Sequence, residues 1–370
     1  MFKKAAIIVI ALLMIAIILA GCGQKTGQPN TARPEKVKIT DLAGREVEVP
    51  VPAKKIVAVG PGALRLVCYV NATGKVAGVE EIEKRQPAGR PYILAHPELK
   101  DLPSIGQGGP DTAPDAEKLV SVKPDVIFAT YLVDKATADE LQSKTSIPVV
   151  VLSYGKLATF DDEVYKSLSL IGKITSSEKR AAEVVDYLKT CLQELNARTK
   201  DIPDDKKPKV YVGALGMKGA HGIDSTQAKY PPFANINAVN VVDETGKAGS
   251  VMLDKEKILT WDPDIIFIDE NGYSLVLDDY RKNQQFYQSL SAFKRGEVYG
   301  QIPYNFYTTN IDTAIADAYY AGKVIFPEQF KDVDPVKKAD EIYQFLLGKP
   351  VYEQMARDYG GFKKLNFDAP

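Results

Sequence analysis

The stretch EKLVSVKPDVIF at residues 117–128 is similar to a second stretch, EKILTWDPDIIF, at residues 256–267. The two stretches align without gaps 139 positions apart, and six of the twelve positions are identical. Each copy predicts a short helix that ends at its proline, followed by an almost wholly apolar strand. Such strands are typical of a parallel sheet that is covered on both faces. Coincidence between two common helix–proline–strand units is the alternative, but the spacing matches two halves of the chain and favours a duplicated architecture.

Strands and helices alternate around both copies. In the first half the pattern predicts strands over 55–59, 76–79, 126–129 and 148–152, and helices over 63–70 and 136–144. In the second half it predicts strands over 210–212, 265–268 and 297–299, and helices over 312–324, 335–347 and 351–357. This alternation predicts the α/β class, as two Rossmann-like lobes with parallel-rich sheets.

One long helix is expected between the lobes. Thr175 and Glu178 have the spacing of a capping box, and no glycine or proline interrupts residues 176–200. The apolar positions then follow at steps of three and four, at Val184, Leu188, Cys191 and Leu195. We therefore expect an N-terminal lobe over 37–174, a connecting helix over 175–201 and a C-terminal lobe over 202–370. A single stiff connection predicts small hinge motion rather than wide closure.

Composition excludes several classes of protein. Lys and Arg number 47 against 48 Asp and Glu, which gives a net charge of −1 and no broad positive field for nucleic acid. The chain has only two histidines and three cysteines, too few for zinc-finger arrays, iron–sulfur clusters or a disulfide scaffold. No GxSxG, GxxxxGK[ST], HExxH or CxxC motif is present, so we expect neither an enzyme nor a resident cofactor.

The amino terminus predicts export. Two lysines precede the apolar run from Ala5 to Ala20, which is shorter than the roughly 20 residues that a spanning helix needs. The run ends in Leu-Ala-Gly-Cys at residues 19–22, which resembles the bacterial lipoprotein box. That resemblance implies a signal peptide over 1–21, a lipid on Cys22 and a place on the outer face of the cell membrane. Residues 22–36 are polar and predict a flexible tether. An uncleaved membrane anchor is the alternative.

Together these features resemble one family, the class III substrate-binding proteins of ABC importers, which includes the cobalamin and ferric-siderophore types. The stretch VKITDLAGREVEVPVPAKKIVAVG, residues 37–60, is similar to the first hairpin and strand of that family. The resemblance covers about residues 37–347 and implies an ABC permease dimer with its ATPase as partner. It also implies that Glu117 and Glu256 dock onto arginines of the permease; two solvated glutamates at helix starts are the alternative. We expect a monomer.

Ligands of open parallel sheets gather beyond the carboxyl ends of the strands, so the loops at those ends are the candidate site. Loop glycines let backbone amides approach a bound oxygen, cations neutralise an anionic ligand, and tyrosines grip a flat chelate. The candidates from the first half are Gly60, Gly62, Arg65, Gln107, Gly108 and Tyr131. Those from the second half are Lys218, His221, Tyr304 and Tyr307, beside the loop 269–271.

Each candidate also has an ordinary structural explanation. The glycines suit simple turns, and the Arg65 stem can cover apolar surface on its helix. His221 is a candidate metal ligand, although a lone loop histidine is more often structural or exposed. Cys68 and Cys191 lie in helical apolar patterns and favour two buried free thiols over a disulfide.

The sequence alone does not identify the cargo. The resemblance implies a small-molecule metal complex, an iron chelate such as a siderophore, haem or cobalamin-like complex. The unusual loops Gly-Gln-Gly-Gly at 106–109 and Lys-Gly-Ala-His-Gly at 218–222 suit molybdate or tungstate as well. A lipid-anchored adhesion or sensor module on the same scaffold is a further alternative, because fold alone does not fix function.

Overall fold

A computed structural model describes residues 35–85, 88–109, 112–130, 134–156, 159–216 and 219–367. The described residues from Lys36 to Phe367 belong to one compact unit. No helix in these described ranges is long and apolar enough to cross a membrane. The predicted signal peptide, and all of the tether before Glu35, lie outside the described residues.

The sheet of the first half is parallel and three-stranded. Its strands, in spatial order, are β3 (Ile56–Val59), β4 (Val126–Ala129) and β5 (Val149–Val151). All the residues of these strands are buried, as the continuous apolar runs predict for a sheet covered on both faces. The register aligns Ile56 with Val126. The carboxyl ends of the strands therefore meet at one edge.

The sheet of the second half has five strands. Its parallel centre consists of β6 (Lys209–Gly213), β10 (Ile265–Asp269) and β11 (Val298–Gln301), with β10 in the middle. The parallel strand β8 (Val239–Asn240) and the antiparallel strand β12 (Lys363–Lys364) form its edges. The mixed α/β class with parallel-rich sheets is thus confirmed.

Two hairpin-like pairs lie outside these sheets. Strands β1 (Glu35–Thr40) and β2 (Glu46–Val51) pair with each other, and β7 (Ser225–Ala228) pairs antiparallel with β9 (Gly249–Met252). The α-helices of the first half are Ala63–Tyr69, Glu81–Lys84, Pro91–Ala95, Ala116–Ser121, Lys135–Thr145 and Asp162–Thr175. Those of the second half are Pro231–Ala234, Lys255–Trp261, Tyr273–Lys282, Gln284–Ser289, Ser291–Arg295, Ile311–Ile325, Pro335–Leu347 and Tyr352–Tyr359.

The repeated sequence has the same role in both halves. The Asp125 carboxylate accepts hydrogen bonds from the backbone amides of Lys54 and Lys55, at 2.7 and 2.8 Å, where β3 begins. The Asp264 carboxylate accepts one from the amide of Lys209, at 2.9 Å, where β6 begins. In each copy the Pro-Asp dipeptide therefore fixes the middle strand beside the start of its parallel neighbour.

The turns that precede the two prolines also match. Lys123 has φ +50° and Asp262 has φ +41°, and these two residues are equivalent in the repeat. Left-handed conformation is uncommon for residues other than glycine. Its recurrence at equivalent positions supports a duplicated architecture over chance similarity.

One helix, Glu178–Thr199, joins the halves and is about 33 Å long at 1.5 Å per residue. Its first residue is later than predicted, and the predicted capping box is wrong. Thr175 is the last residue of the preceding helix, and its hydroxyl donates to the carbonyl of Ile171 at 2.7 Å. Ser177 is the N-cap residue and makes no side-chain capping hydrogen bond.

Other element boundaries also differ slightly from the predictions. The expected strand at 76–79 makes only single bridges, from Val76 to Ile56 and from Val79 to Ser104. Strand β1 begins at Glu35, inside the predicted tether. Cys68 and Cys191 are buried free thiols, as expected. One hydrophobic cluster includes residues of both sheets, so the division of residues 37–370 into two lobes stays a prediction.

Candidate functional site

The loops that follow β3 and β4 are packed too tightly for any side chain at Gly60. This residue has φ +84°, and a Cβ there would lie 2.5 Å from the carbonyl oxygen of Thr130. Gly62 has φ +80°, and its Cβ would lie 2.5 Å from the hydroxyl of Tyr154. Both glycines are therefore required by close approach and by backbone conformation.

Arg65 is fully buried on the helix Ala63–Tyr69, which follows the loop after β3. The guanidinium makes five hydrogen bonds, four of them to a loop of the second half. The acceptors are the Asn310 side chain (2.8 Å), the carbonyls of Thr309 (2.8 Å), Phe306 (2.9 Å) and Tyr307 (3.4 Å), and the Tyr154 hydroxyl (3.1 Å). A guanidinium has five N–H donors, so none is left for a ligand. The predicted ligand-binding role of Arg65 is therefore replaced by a structural one.

Further buried contacts support Arg65. Its guanidinium lies 4.8 Å from the centre of the Tyr92 ring, and the Tyr92 hydroxyl donates to the Glu83 carboxylate at 2.7 Å. Glu83 also pairs with the buried Arg90 at 3.3 Å. Asn310 is the N-cap residue of the helix Ile311–Ile325, but its side chain binds Arg65 instead of capping that helix. The loop 306–310 is thus held on the first half.

Glu80 and Tyr307 meet where this loop contacts the first half. The Glu80 carboxylate accepts from the backbone amide of Gly60 at 3.0 Å and from the hydroxyl of Tyr307 at 2.9 Å. The same hydroxyl accepts from the backbone amide of Gly109 at 2.9 Å. We call this contact between the halves, made by Gly60, Glu80, Gly109 and Tyr307, the seam. Burial raises the pKa of Glu80 to about 7, although the two hydrogen bonds lower it.

Gln107 and Gly108 lie beside the seam. The carbonyl of Gln107 accepts from the amide of Ile82, and its side chain is exposed. Gly108 has φ +69°, and a Cβ there would lie 2.8 Å from the Cβ of Glu80. The structure therefore brings Gly60, Gly108 and Tyr307 together around Glu80, whereas Gly62 packs against Tyr154.

Two second-half candidates have other surroundings. Tyr304 is only 5% exposed, its ring lies 5.7 Å from that of Tyr230, and its hydroxyl donates to Gln227 at 3.3 Å. Tyr304 is thus a core residue rather than the cargo contact that the sequence predicts. His221 is half-buried, and its carbonyl oxygen packs closely against Gly272. No group of three or more His, Cys, Asp or Glu side chains in the described ranges is placed to hold a metal ion. The metal-binding role of His221 stays a prediction.

Three of the predicted functional residues, Tyr131, Lys218 and Cys22, lie outside the described residues. The loop 269–271 was expected to line the cleft, but the side chains of Asp269 and Glu270 are buried. Burial raises the pKa of Asp269 to about 7 and that of Glu270 to about 8. Both face the buried Asp317, whose pKa burial raises well above its ordinary value. These carboxyls form a buried acidic cluster inside the second half.

The predicted docking glutamates occupy equivalent positions. Glu117 is the second residue of the helix Ala116–Ser121, and Glu256 is the second residue of the helix Lys255–Trp261. Both are exposed, and each helix leads into the middle strand of its sheet. Their role in docking stays a prediction.

Sequence reasoning missed Glu80, Tyr154 and Asn310. Glu80 directly follows the predicted strand 76–79, and Tyr154 follows the predicted strand 148–152. Their positions at strand ends were a usable signal. Asn310 carried no such signal, because an asparagine before a helix is ordinarily its cap.

Comparisons with known proteins agree on one family. Residues 56–302 match the model of the family described as periplasmic binding protein. The chain is 25% identical over 335 residues to YvrC, an ABC transporter substrate-binding lipoprotein of Bacillus subtilis, covering 89% of this chain and 100% of the relative. It is 24% identical over 300 residues to the Fe(3+)-citrate-binding protein YfmC of the same organism, covering 80% and 89%.

The third relative is the molybdate-binding protein MolA of Haemophilus influenzae. It is 25% identical over 327 residues, covering 83% of this chain and 89% of MolA. The structure of MolA bound to molybdate superposes with a TM-score of 0.66 at 22% identity and covers 85% of this chain and 98% of that one. This likeness shows that the two proteins share a fold.

Replacing Arg65 tests whether the guanidinium holds the halves together. Arg65→Lys keeps the charge but loses the fork of donors, so buried carbonyls of the loop 306–310 lose their partners. We expect the free energy of unfolding to fall by about 2–4 kcal/mol, measured by chemical denaturation. Arg295→Ala is the control, because Arg295 makes a half-exposed ion pair with Asp264 and should cost less than about 1 kcal/mol. Equal stability of Arg65→Lys and the native chain would contradict this role.

Proposed function

The chain belongs to the periplasmic binding protein family and is a substrate-binding protein of an ABC importer. We propose that it binds an iron chelate at the seam. Proteins of this kind act with a permease and an ATPase, on the outer side of the cell membrane. They are transport proteins rather than enzymes, which agrees with the sequence prediction. The chelate would reach the permease dimer while bound between the halves.

The observation that carries this proposal is the convergence of hydrogen-bond donors at the seam. The Gly60 amide, directly after β3, and the Tyr307 hydroxyl of the second half donate to the same carboxylate, and the Gly109 amide donates to that hydroxyl. Donors of this kind suit the carboxylate or hydroxamate oxygens that surround iron in a chelate. The relative YfmC is named for binding Fe(3+)-citrate. Gly62, Gln107, Gly108, Tyr131, Lys218 and His221 stay proposed cargo contacts around these donors.

Molybdate or tungstate is the second candidate. A compact oxyanion is bound by backbone amides at least as readily as a chelate is. The relative MolA, named for molybdate, is as similar to this chain as the iron-citrate relative is. The two cargoes are separated by direct titration.

Titration calorimetry of the purified protein with ferric citrate and with molybdate tests the cargo. We expect one site per chain for one of these ligands. Gly109→Ala strains the backbone that donates to Tyr307, because Gly109 has φ +118° and its methyl group would lie 3.2 Å from the hydroxyl of Thr112, and it should weaken this binding about tenfold or more. Gly246→Ala is the control for alanine at positive φ, because Gly246 is exposed, has φ +68° and has no atom within 4 Å of the added carbon. Equal loss in both variants would place the site elsewhere, and no binding of either ligand would refute both cargoes.

We also propose that Glu117 and Glu256 dock the protein onto the permease. The duplicated helices place one exposed carboxylate on each half, which suits a partner with two-fold symmetry. Replacing both with alanine should reduce cargo uptake by cells about tenfold or more while cargo affinity is unchanged.

The control for that experiment is the pair Glu178→Ala and Glu353→Ala. These glutamates are also exposed and also lie in the first turn of a helix, so their loss has the same effect on the helix dipole. Normal uptake in the Glu117 and Glu256 variant, or equal loss in the control, would contradict docking.

Cys22 is proposed as the lipid attachment site. Mass spectrometry of the mature protein should find an acylated cysteine at its first residue, and Cys22→Ser should abolish that modification. The membrane association of the protein should fall with it. A mature chain that retains residues 1–21 would instead support the uncleaved anchor.

A further inference from the structure

Glu80 occupies the place at the seam where a cargo anion would be bound. Its carboxylate oxygen Oε2 accepts from both the Gly60 amide and the Tyr307 hydroxyl. Tyr307 is supported in turn by the Gly109 amide. The Gly60 amide and the Tyr307 hydroxyl, which could bind an anion, are thus already used by a carboxylate of the chain itself.

We propose that Glu80 is an internal substitute for the cargo anion, which an anionic cargo displaces when it binds. The proposal rests on the proposed function and names the residue that regulates cargo binding at that site. The Glu80 carboxylate and an anionic cargo would bind the same donors only at a high energetic cost, because like charges repel strongly in a buried site. The cargo therefore takes over the amide and hydroxyl donors, and the released carboxylate takes up a proton.

The surroundings of Glu80 favour this exchange. The titratable groups that face it are Tyr307 from the second-half loop and Glu83 from its own segment. Glu83 is itself buried and paired with Arg90 and Tyr92. Arg65 directs its donors to the loop 306–310 and the Tyr154 hydroxyl. The Glu80 side chain is only 5% exposed, and its carboxylate is held by neutral donors. When the cargo takes these donors, protonation of the carboxylate removes the cost of an unpaired buried charge.

The direction of the pH dependence follows from this exchange. Glu80 has a pKa of about 7, so the free protein carries an ionised Glu80 above that pH and a protonated one below it. Cargo binding above about pH 7 must then be accompanied by uptake of one proton, whereas binding well below it needs none. Affinity for an anion should fall as the pH rises, by up to about tenfold per pH unit above the pKa.

The test compares the native protein with Glu80→Gln, using ferric citrate and molybdate as the probes. The carboxamide that this substitution introduces has no charge to protonate and competes more weakly for the donors. We expect Glu80→Gln to bind the cargo about tenfold or more tightly at pH 8 than the native protein does, with no pH dependence beyond that of the ligand itself. Glu81→Gln is the control, since Glu81 is adjacent and makes no side-chain contact with the seam.

A second measurement needs no variant. Calorimetry of the native protein in two buffers with different ionisation enthalpies gives the number of protons taken up on binding. We expect about one proton per cargo at pH 8 and nearly none at pH 5.5. The count stays informative even if Glu80→Gln does not fold.

The outcomes are separable. Loss of cargo binding in a folded Glu80→Gln would overturn the proposal, because Glu80 would then contact the cargo directly. So would an unchanged pH slope, or binding without proton uptake at pH 8; in these cases the proposed function stands. Failure of both proteins to bind either probe at any pH would instead refute the proposed cargo, and the exchange with it.

Discussion

The buried guanidinium of Arg65 is the constraint on which the arrangement of the seam depends. A fully buried charge is tolerated only when its hydrogen bonds are complete, and four of its five acceptors come from the loop 306–310 of the second half. Moving this loop away would leave both the guanidinium and several carbonyls without partners. The loop is therefore effectively part of the first half, and Tyr307 is held where it can reach Glu80. In the proposed mode of binding, cargo recognition therefore depends on local exchange of hydrogen bonds more than on wide separation of the halves.

The duplicated stretch explains why two different sheets share one plan. In each half a Pro-Asp dipeptide accepts from the start of the neighbouring parallel strand, so the middle strand is fixed in register. The helix before it presents an exposed glutamate. The repeated helix, Pro-Asp dipeptide and strand thus align the carboxyl ends of the parallel strands in each half. The same repeat places the two carboxylates that are proposed to bind the permease. The proposed binding site and the proposed docking site thus both depend on the repeated unit.

Charge inside the protein is distributed differently from the sequence expectation. The positive charge of Arg65 is used within the fold, and the seam offers neutral donors around a carboxylate. The second half adds the buried acids Asp269, Glu270 and Asp317, whose pKa values burial raises. The proposed site would select cargo through the geometry of its amides and through protonation rather than through a fixed cation.

The sequence by itself determined the class of the fold, its duplication, the connecting helix and the family, because apolar periodicity and the Pro-Asp repeat are local signals. It also placed the glycine loops at the strand ends, since parallel strands share one carboxyl edge. Only the tertiary structure decided what the side chains there do. Asn310 has the sequence position of a helix cap and Arg65 that of a cargo contact, but each is the other's partner across 245 residues of chain. Partners that are distant in sequence and become buried together leave no periodic pattern, because their pairing depends on how the halves pack.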